Sequence, residues 1–413
     1  MAVPPIPARR ATSATLGRLW PRRRRWRVTV VLVALLALGW ASGILPRAWE
    51  AGQLLRHLAS EGVPAGVQRL PLTVTGQAGS HPADLYALAE AGPLPGLVLL
   101  PGASPGGKDE PRLVAFAQQL AGAGFRVLVP DSESLRQLRV DAQDALLAAD
   151  AVALLAGEGG QVGIAAISYA TGPAVLAALR PDTRARVGFV LAIGGYHDGT
   201  ALVTYLTTGH YRAPGEAAWH HREPNAYGKW VFVLSNAARL QDRRDAALLG
   251  GIALRRLRDL GAGIGDLVIQ LGPEGRAVHA LVDNRDPGAV PTLLAALPPT
   301  VLTELQALDL ARQDLSGLAA RLILIHGQDD PIVPFTESLS LAAAAPPGGV
   351  DLHLLGSLAH VELSVASLKD GWQLFRAAWD LLAARDALPA LPAPVLPQPS
   401  REPDLTAPVA SAS

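Results

Sequence analysis

The sequence predicts an α/β fold: a mostly parallel central sheet with helices on both faces, and a mainly helical cap inserted before the penultimate strand. Three observations carry this. Short apolar runs alternate with helical patterns, as at 97–100, 125–130, Val162–Ile167 and 187–194, which is the rhythm of βα units whose strands are buried on both sides. A sharp strand-to-helix corner falls at Ser168, between the apolar run Val162–Ile167 and Pro173, a residue suited to the first turn of a helix. Finally, about 120 residues of helical character separate the strand at 187–194 from the next one at 321–325, too many for a loop in one domain.

The elements follow in order. Strands at 67–75 and 83–89, joined by a Gly-containing turn, read as a hairpin. Strand 97–100 runs into Pro101-Gly102-Ala103-Ser104-Pro105-Gly106-Gly107, whose composition forbids regular structure. Helices are expected at 113–121 and 140–156, flanking strand 125–130. The cap, 199–318, contains helical stretches at 246–260 and 291–297, with Tyr205, Tyr211, Trp219, Tyr227 and Trp230 as candidates to line a cavity or simply to fill the core. Alternation then resumes with strand 321–325, helix 336–345, strand 351–355 and helix 363–384. The core domain is thus 67–198 together with 319–385. The Pro-, Ala- and Ser-rich tail, 386–413, has little to bury and is expected to be disordered.

The amino-terminal region differs in character. Within residues 1–27 eight arginines precede an apolar run, 28–45, which as a helix reaches roughly 27 Å, enough to cross a bilayer core. A basic cluster before such a run predicts a single-pass anchor with its amino terminus in the cytoplasm and the rest of the chain on the extracytoplasmic side. Ala41 and Gly43 could serve a signal peptidase, but the run exceeds the usual signal core. Residues 46–66 read as a stalk near the membrane surface, opened by an amphipathic helix carrying Trp49, Leu54, Leu55 and Leu58 on one side.

Composition sets limits on function. The 413-residue chain carries 36 acidic and 36 basic side chains, so it lacks the positive excess of a nucleic-acid binder. With no cysteine, it can form no disulfide, thiolate nucleophile or cysteine metal site. No His/Asp/Glu grouping has metal-ligand spacing and no phosphate loop of the G-x-x-x-x-G-K-[ST] form occurs, so no metal and no cofactor are expected.

The candidate chemistry lies on strand-end loops. A hydroxyl on a tight strand-to-helix corner stands at the end of a sheet, and the following residue, Tyr169, can offer its amide at the positive end of the helix. Such a turn ordinarily demands glycine two places either side of the serine; alanine, at 166 and 170, is the smallest departure. An ordinary helix-capping serine is the competing reading. Strand 321–325 leads into His326-Gly327-Gln328-Asp329-Asp330-Pro331-Ile332-Val333-Pro334, where a carboxylate can orient an imidazole. Strand 351–355 leads into Gly356-Ser357-Leu358-Ala359-His360, and a histidine there can reach a serine at a neighbouring strand end. Asp198, after strand 187–194, is a second candidate acid.

Taken together, serine, acid and histidine in this order resemble an α/β-hydrolase over roughly residues 67–384. The family's His-Gly-x-x-Asp-x-x-Val-Pro pattern matches His326, Gly327, Asp330, Val333 and Pro334, which implies that Asp330 is the acid. The oxyanion loop of the family usually begins His-Gly and here begins Pro101-Gly102, so the resemblance points to the backbone N–H of Ala103, beside that of Tyr169. It implies a serine hydrolase acting on a small-molecule acyl ester through Ser168, Asp330 and His360. The same triad could serve acyl transfer or peptide cleavage, and a non-catalytic binding protein on this fold is the rival from another class.

Overall fold

The computed structural model describes residues 38–392 apart from 61, 90, 91, 140, 357, 360, 361 and 364–366, and the backbone only at 358, 359, 362 and 363. The chain divides into Met1–Trp49 and Glu50–Ser413. In the first unit Leu38, Trp40 and Trp49 are exposed, and Gly43 adopts a left-handed φ of +75°. The expected span 28–45 lies mostly outside the described residues; among the described residues no helix is long and apolar enough to cross a membrane.

Up to the cap, the elements are α1 (Ile44–Leu58), β1 (Val67–Gly76), β2 (Gly79–Leu88), β3 (Gly96–Leu100), α2 (Pro111–Gly122), β4 (Arg126–Pro130), α3 (Glu133–Arg136), α4 (Asp144–Ala156), β5 (Val162–Ile167), α5 (Thr171–Leu179) and β6 (Val187–Ile193). The cap comprises α6 (Gly199–Thr208), a small hairpin of β7 (His210–Tyr211) and β8 (His220–His221), then α7 (Ala226–Ala237), α8 (Arg243–Arg258), α9 (Gly265–Val268), α10 (Pro273–Asp283), α11 (Val290–Ala295) and α12 (Pro299–Ala307). The chain closes with β9 (Arg321–Gly327), α13 (Thr336–Ala344), β10 (Val350–Leu355), β11 (Leu358–Ala359), β12 (Glu362–Leu363) and α14 (Leu368–Ala387).

Eight strands form one sheet in the order β1-β2-β4-β3-β5-β6-β9-β10. β2 runs antiparallel to β1 and β4, while the neighbours from β4 through β10 are parallel. The apolar runs have a simple cause: alternate residues of each strand feed different clusters. Val98, Leu128, Ile164, Val190 and Leu324 pack with α4, α5 and α13 on one face, whereas Leu99, Val129, Ala165, Leu191 and Ile323 pack with α1, α2 and α14 on the other. A strand buried on both sides cannot afford polar alternation. The sheet is therefore the predicted one, mostly parallel with helices on both faces.

Three expectations need correction. Part of the stalk expected at 46–66 packs on the domain: Ala51 and Leu54 are buried in the same cluster as Leu113, Leu120 and Leu381, and Glu50 pairs with Arg385 at 2.7 Å. Leu54, Leu55 and Leu58 of the apolar stripe pack on the domain, whereas Trp49 is exposed. The last helix begins at Leu368 rather than 363, with Ser367 capping the amide of Asp370, while Leu358–Ala359 pairs antiparallel with Glu362–Leu363. The tail is not uniformly without structure from 386. Helix α14 runs to Ala387, and Leu388 and Leu391 are buried. They occupy space left by glycine: a Cβ on Gly188 would lie 2.5 Å from Leu388, and one on Gly96 would lie 2.7 Å from Leu391. The remainder, 393–413, lies outside the described residues.

Candidate active site

Strand register decides which loops meet. Leu100 of β3 pairs with Ala166 of β5, Ile167 with Ile193 of β6, Ile193 with Ile325 of β9, and Gly327 with Leu355 of β10. The carboxyl ends of these five parallel strands are therefore level, and the segments beginning at Pro101, Ser168, Gly194, Gln328 and Gly356 leave from one edge. In an open α/β sheet this is where ligands bind.

At that edge Ser168 has a φ of +54°, one of two non-glycine residues with positive φ among the described residues. A left-handed angle at a residue with a Cβ costs of order 1–3 kcal/mol and marks a conformation imposed by its surroundings. It arises because β5 ends at Ile167 and the chain turns at once, through Ser168–Ala170, into α5. The alanines that stand where glycine is usual, Ala166 and Ala170, are buried in the core, their methyl groups part of its packing. The loop after β3 comes close: a Cβ on Gly102 would lie 3.4 Å from the Ile167 carbonyl oxygen and 3.7 Å from the Ser168 Cβ. Ser168, Tyr169, Gly102 and Ala103 all line one cavity of about 690 Å³. The Ala103 amide donates to no backbone carbonyl among the described residues. Tyr169 lies in the first turn, where amides have no intrahelical acceptor.

Charge fixes the far end of that loop. The Lys108 ammonium reaches Asp84 of β2 at 2.9 Å and Asp109 at 3.1 Å, the Lys108 amide donates to Asp131 at 3.2 Å, and Arg69 of β1 bonds Asp84 and Asp109. The residue after the serine is held just as firmly. The Tyr169 hydroxyl accepts the Asp141 amide at 2.8 Å and donates to the buried Asp144 carboxylate at 3.0 Å. Asp144 also accepts from Ser132 at 2.7 Å and Ser134 at 3.0 Å. Burial raises the pKa of Asp144 and that of Tyr169 well above its usual value. No sequence pattern points to this network, because its members lie on three separate segments. The cap touches it as well: Arg239 approaches Asp141 at 3.6 Å and Glu304 at 3.4 Å.

Asp330 is buried on the loop after β9, with Oδ1 accepting the amides of Ile332 at 2.7 Å and Val333 at 3.0 Å. Its Oδ2 is 3.6 Å from Nε2 of His326. His326 bonds the Ser338 hydroxyl at 2.7 Å and the Val333 carbonyl at 3.0 Å, so it braces the loop and has no free nitrogen for catalysis. His360 and Val361 lie outside the described residues; Ala359 before them pairs with Glu362 after them. Asp198, the second candidate acid, caps α6 by accepting the amides of Thr200 at 2.8 Å and Ala201 at 3.0 Å. Beside it the buried Glu337 carboxyl accepts the amides of His197 at 2.9 Å and Asp198 at 2.8 Å, and burial pushes its pKa up to about 8.

Of the cap aromatics, Tyr227 lines the cavity. Tyr205 is buried with its hydroxyl 3.4 Å from the Asp330 carbonyl, Trp230 is buried in the cap cluster, Tyr211 packs on Tyr205 and Phe335, and Trp219 lies beneath Arg212. The walls that the sequence did not reveal are Leu54 and Leu58 of α1, Phe116 of α2 and Leu374 of α14. No group of His, Asp and Glu that could hold a metal occurs among the described residues.

No family model matches the chain, and no curated protein sequence matches it. Solved structures similar to it include a rice cell wall degrading esterase from Xanthomonas oryzae, at 14% identity over 81% of this chain and 94% of that one, with a TM-score of 0.48. A hyperthermophilic esterase from Pyrobaculum calidifontis is 14% identical over 82% of this chain and 92% of that one, with a TM-score of 0.43. A serine hydrolase from the polyaromatic hydrocarbon-degrading bacterium Cycloclasticus zankles is 15% identical over 77% of this chain and 96% of that one, with a TM-score of 0.41. The chain's own architecture is a mostly parallel eight-stranded sheet with helices on both faces.

Proposed function

We propose that this chain is a serine hydrolase that cleaves carboxylic esters. The observation that carries the reading is the left-handed Ser168, held on a strand-to-helix corner against Gly102 and opening on a large cavity. In this reading His360 takes the Ser168 proton as Oγ attacks the acyl carbonyl, and Asp330 orients the imidazole and stabilises its charge. The amides of Ala103 and Tyr169 receive the oxyanion, each such donor being worth about 3–4 kcal/mol to the transition state. The imidazolium then protonates the departing alcohol. Water, deprotonated by the same histidine, attacks the acyl-enzyme, and collapse of the second tetrahedral intermediate releases the acid and restores Ser168.

A fluorophosphonate probe tests this directly. Stoichiometric labelling of Ser168 in the folded protein, lost in Ser168→Ala together with ester hydrolysis, is the expected result. A folded protein that takes up no label at Ser168 would instead be a ligand-binding member of the fold class. Anchoring through residues 28–45, with the hydrolase domain on the extracytoplasmic side of the bilayer, is part of the proposal and draws support from the exposed Leu38 and Trp40 within that run and Trp49 just after it. Release of the protein from washed membranes by high salt alone would count against it.

A further inference from the structure

We infer that the cavity selects an uncharged ester with a long aliphatic acyl chain; this rests on the hydrolase reading above and specifies its substrate. The volume, about 690 Å³, is far more than a short acyl group fills and lies in the range of sites that enclose drug-sized ligands. Its walls come from two parts of the fold. Leu202, Leu206 and Phe232 belong to the cap, whereas Leu54, Leu58 and Phe116 belong to the layer packed on the sheet. Ser168 opens on the same space, so a chain attached to the reacting carbonyl can be covered by either wall. Leucine predominates over aromatic residues in the lining, and a branched aliphatic wall conforms to a flexible chain better than it stacks on a planar ring.

The charged groups argue for neutrality at the reacting end. Lysine is absent from the lining described, and its one acid and one arginine, Glu110 and Arg112, pair with each other at 3.3 Å. Glu110 is further committed to capping α2, accepting the Leu113 amide at 2.8 Å. Apart from His57, the described lining thus presents no basic side chain outside that pair, and burying a carboxylate or phosphate there without a partner would oppose binding.

The test uses the full chain and a series of 4-nitrophenyl esters from acetate to laurate, below their micellar concentrations. Each methylene moved from water into the apolar cavity should raise kcat/KM roughly fourfold until the cavity is filled. Ser168→Ala, which cannot turn the ester over, should bind the octanoate by calorimetry at least about tenfold more tightly than the acetate. Phe116→Asp and Leu206→Asp place a carboxylate on either wall, and in at least one of them the octanoate-to-acetate ratio of kcat/KM should fall about tenfold or more. That ratio is read within one protein sample, so a general loss of folded material does not mimic the effect. Labelling of Ser168 with a flat or falling chain-length profile, and equal binding of the two esters to Ser168→Ala, would overturn the inference and leave the hydrolase reading intact. Absence of labelling would overturn the hydrolase reading and this inference with it.

Discussion

Asp330 and Asp198 are both carboxylates on strand-end loops, yet their surroundings give them different tasks. Asp198 uses Oδ1 to cap α6, while Asp330 uses one oxygen to fix its own loop and directs the other toward the His326 side of the strand ends. With Asp330 as the acid, Asp330→Asn should lower kcat by roughly 10⁴-fold, as loss of the orienting charge does in serine hydrolases. Asp198→Ala should chiefly cost the helix cap, about 0.5–2 kcal/mol in a urea unfolding experiment. If the activities of the two variants are reversed, the acid belongs to the strand before the cap. Tyr169 supplies a second residue-level test. Tyr169→Phe leaves the Asp144 carboxylate and the Asp141 amide without their hydroxyl partner, at an expected cost of about 1–3 kcal/mol. Because the Tyr169 amide is a proposed oxyanion donor, the variant should lose kcat more than it raises KM.

Among the elements, α1 departs furthest from its reading in the sequence. Its apolar stripe is legible at Trp49, Leu54, Leu55 and Leu58, but a stripe states only that a face is covered, not by what. In the structure Leu54 is buried with the residues of α2 and α14, and Leu54 and Leu58 form part of the cavity wall. Leu54→Ala should therefore destabilise the protein by about 2–5 kcal/mol, as truncation of a packed leucine does. A change below about 0.5 kcal/mol in chemical denaturation, typical of an exposed position, would restore the stalk reading. The end of the chain teaches the same lesson. Leu388 and Leu391 stand in a Pro- and Ala-rich stretch with no periodicity, and their burial depends on glycines at 96 and 188, remote in sequence.

At the scale of the whole molecule, the two ends of the cap meet over carboxylates. Asp309, where the cap ends, accepts the amide of Gly199, where it begins, at 3.0 Å, and Glu337 of α13 accepts the amides of His197 and Asp198. Burial, with Asp198 and Asp309 nearby, raises the Glu337 pKa from 4.5 to about 8. The folded protein then holds a proton that the unfolded chain releases. Stability from this group is complete below the unfolded pKa of 4.5 and is lost as pH rises through about 8. Melting temperature should fall over that window, and Glu337→Gln, which cannot ionise, should flatten the decline. An unchanged slope in the variant would assign the pH dependence to other groups.

What the sequence determined by itself is whatever local pattern can carry. Buried strands announce themselves as apolar runs because both faces of the sheet are covered, and the Ser168 corner is visible because β5, the turn and α5 are contiguous. The motif around Asp330 is visible for the same reason. Only the tertiary structure decided that Gly102 lies against Ser168, that Asp144 reaches Tyr169, and that α1 and the cap supply facing walls of one cavity. These juxtapositions depend on strand register and on complementary shape between segments tens to hundreds of residues apart, and neither property has a period or a spacing along the chain.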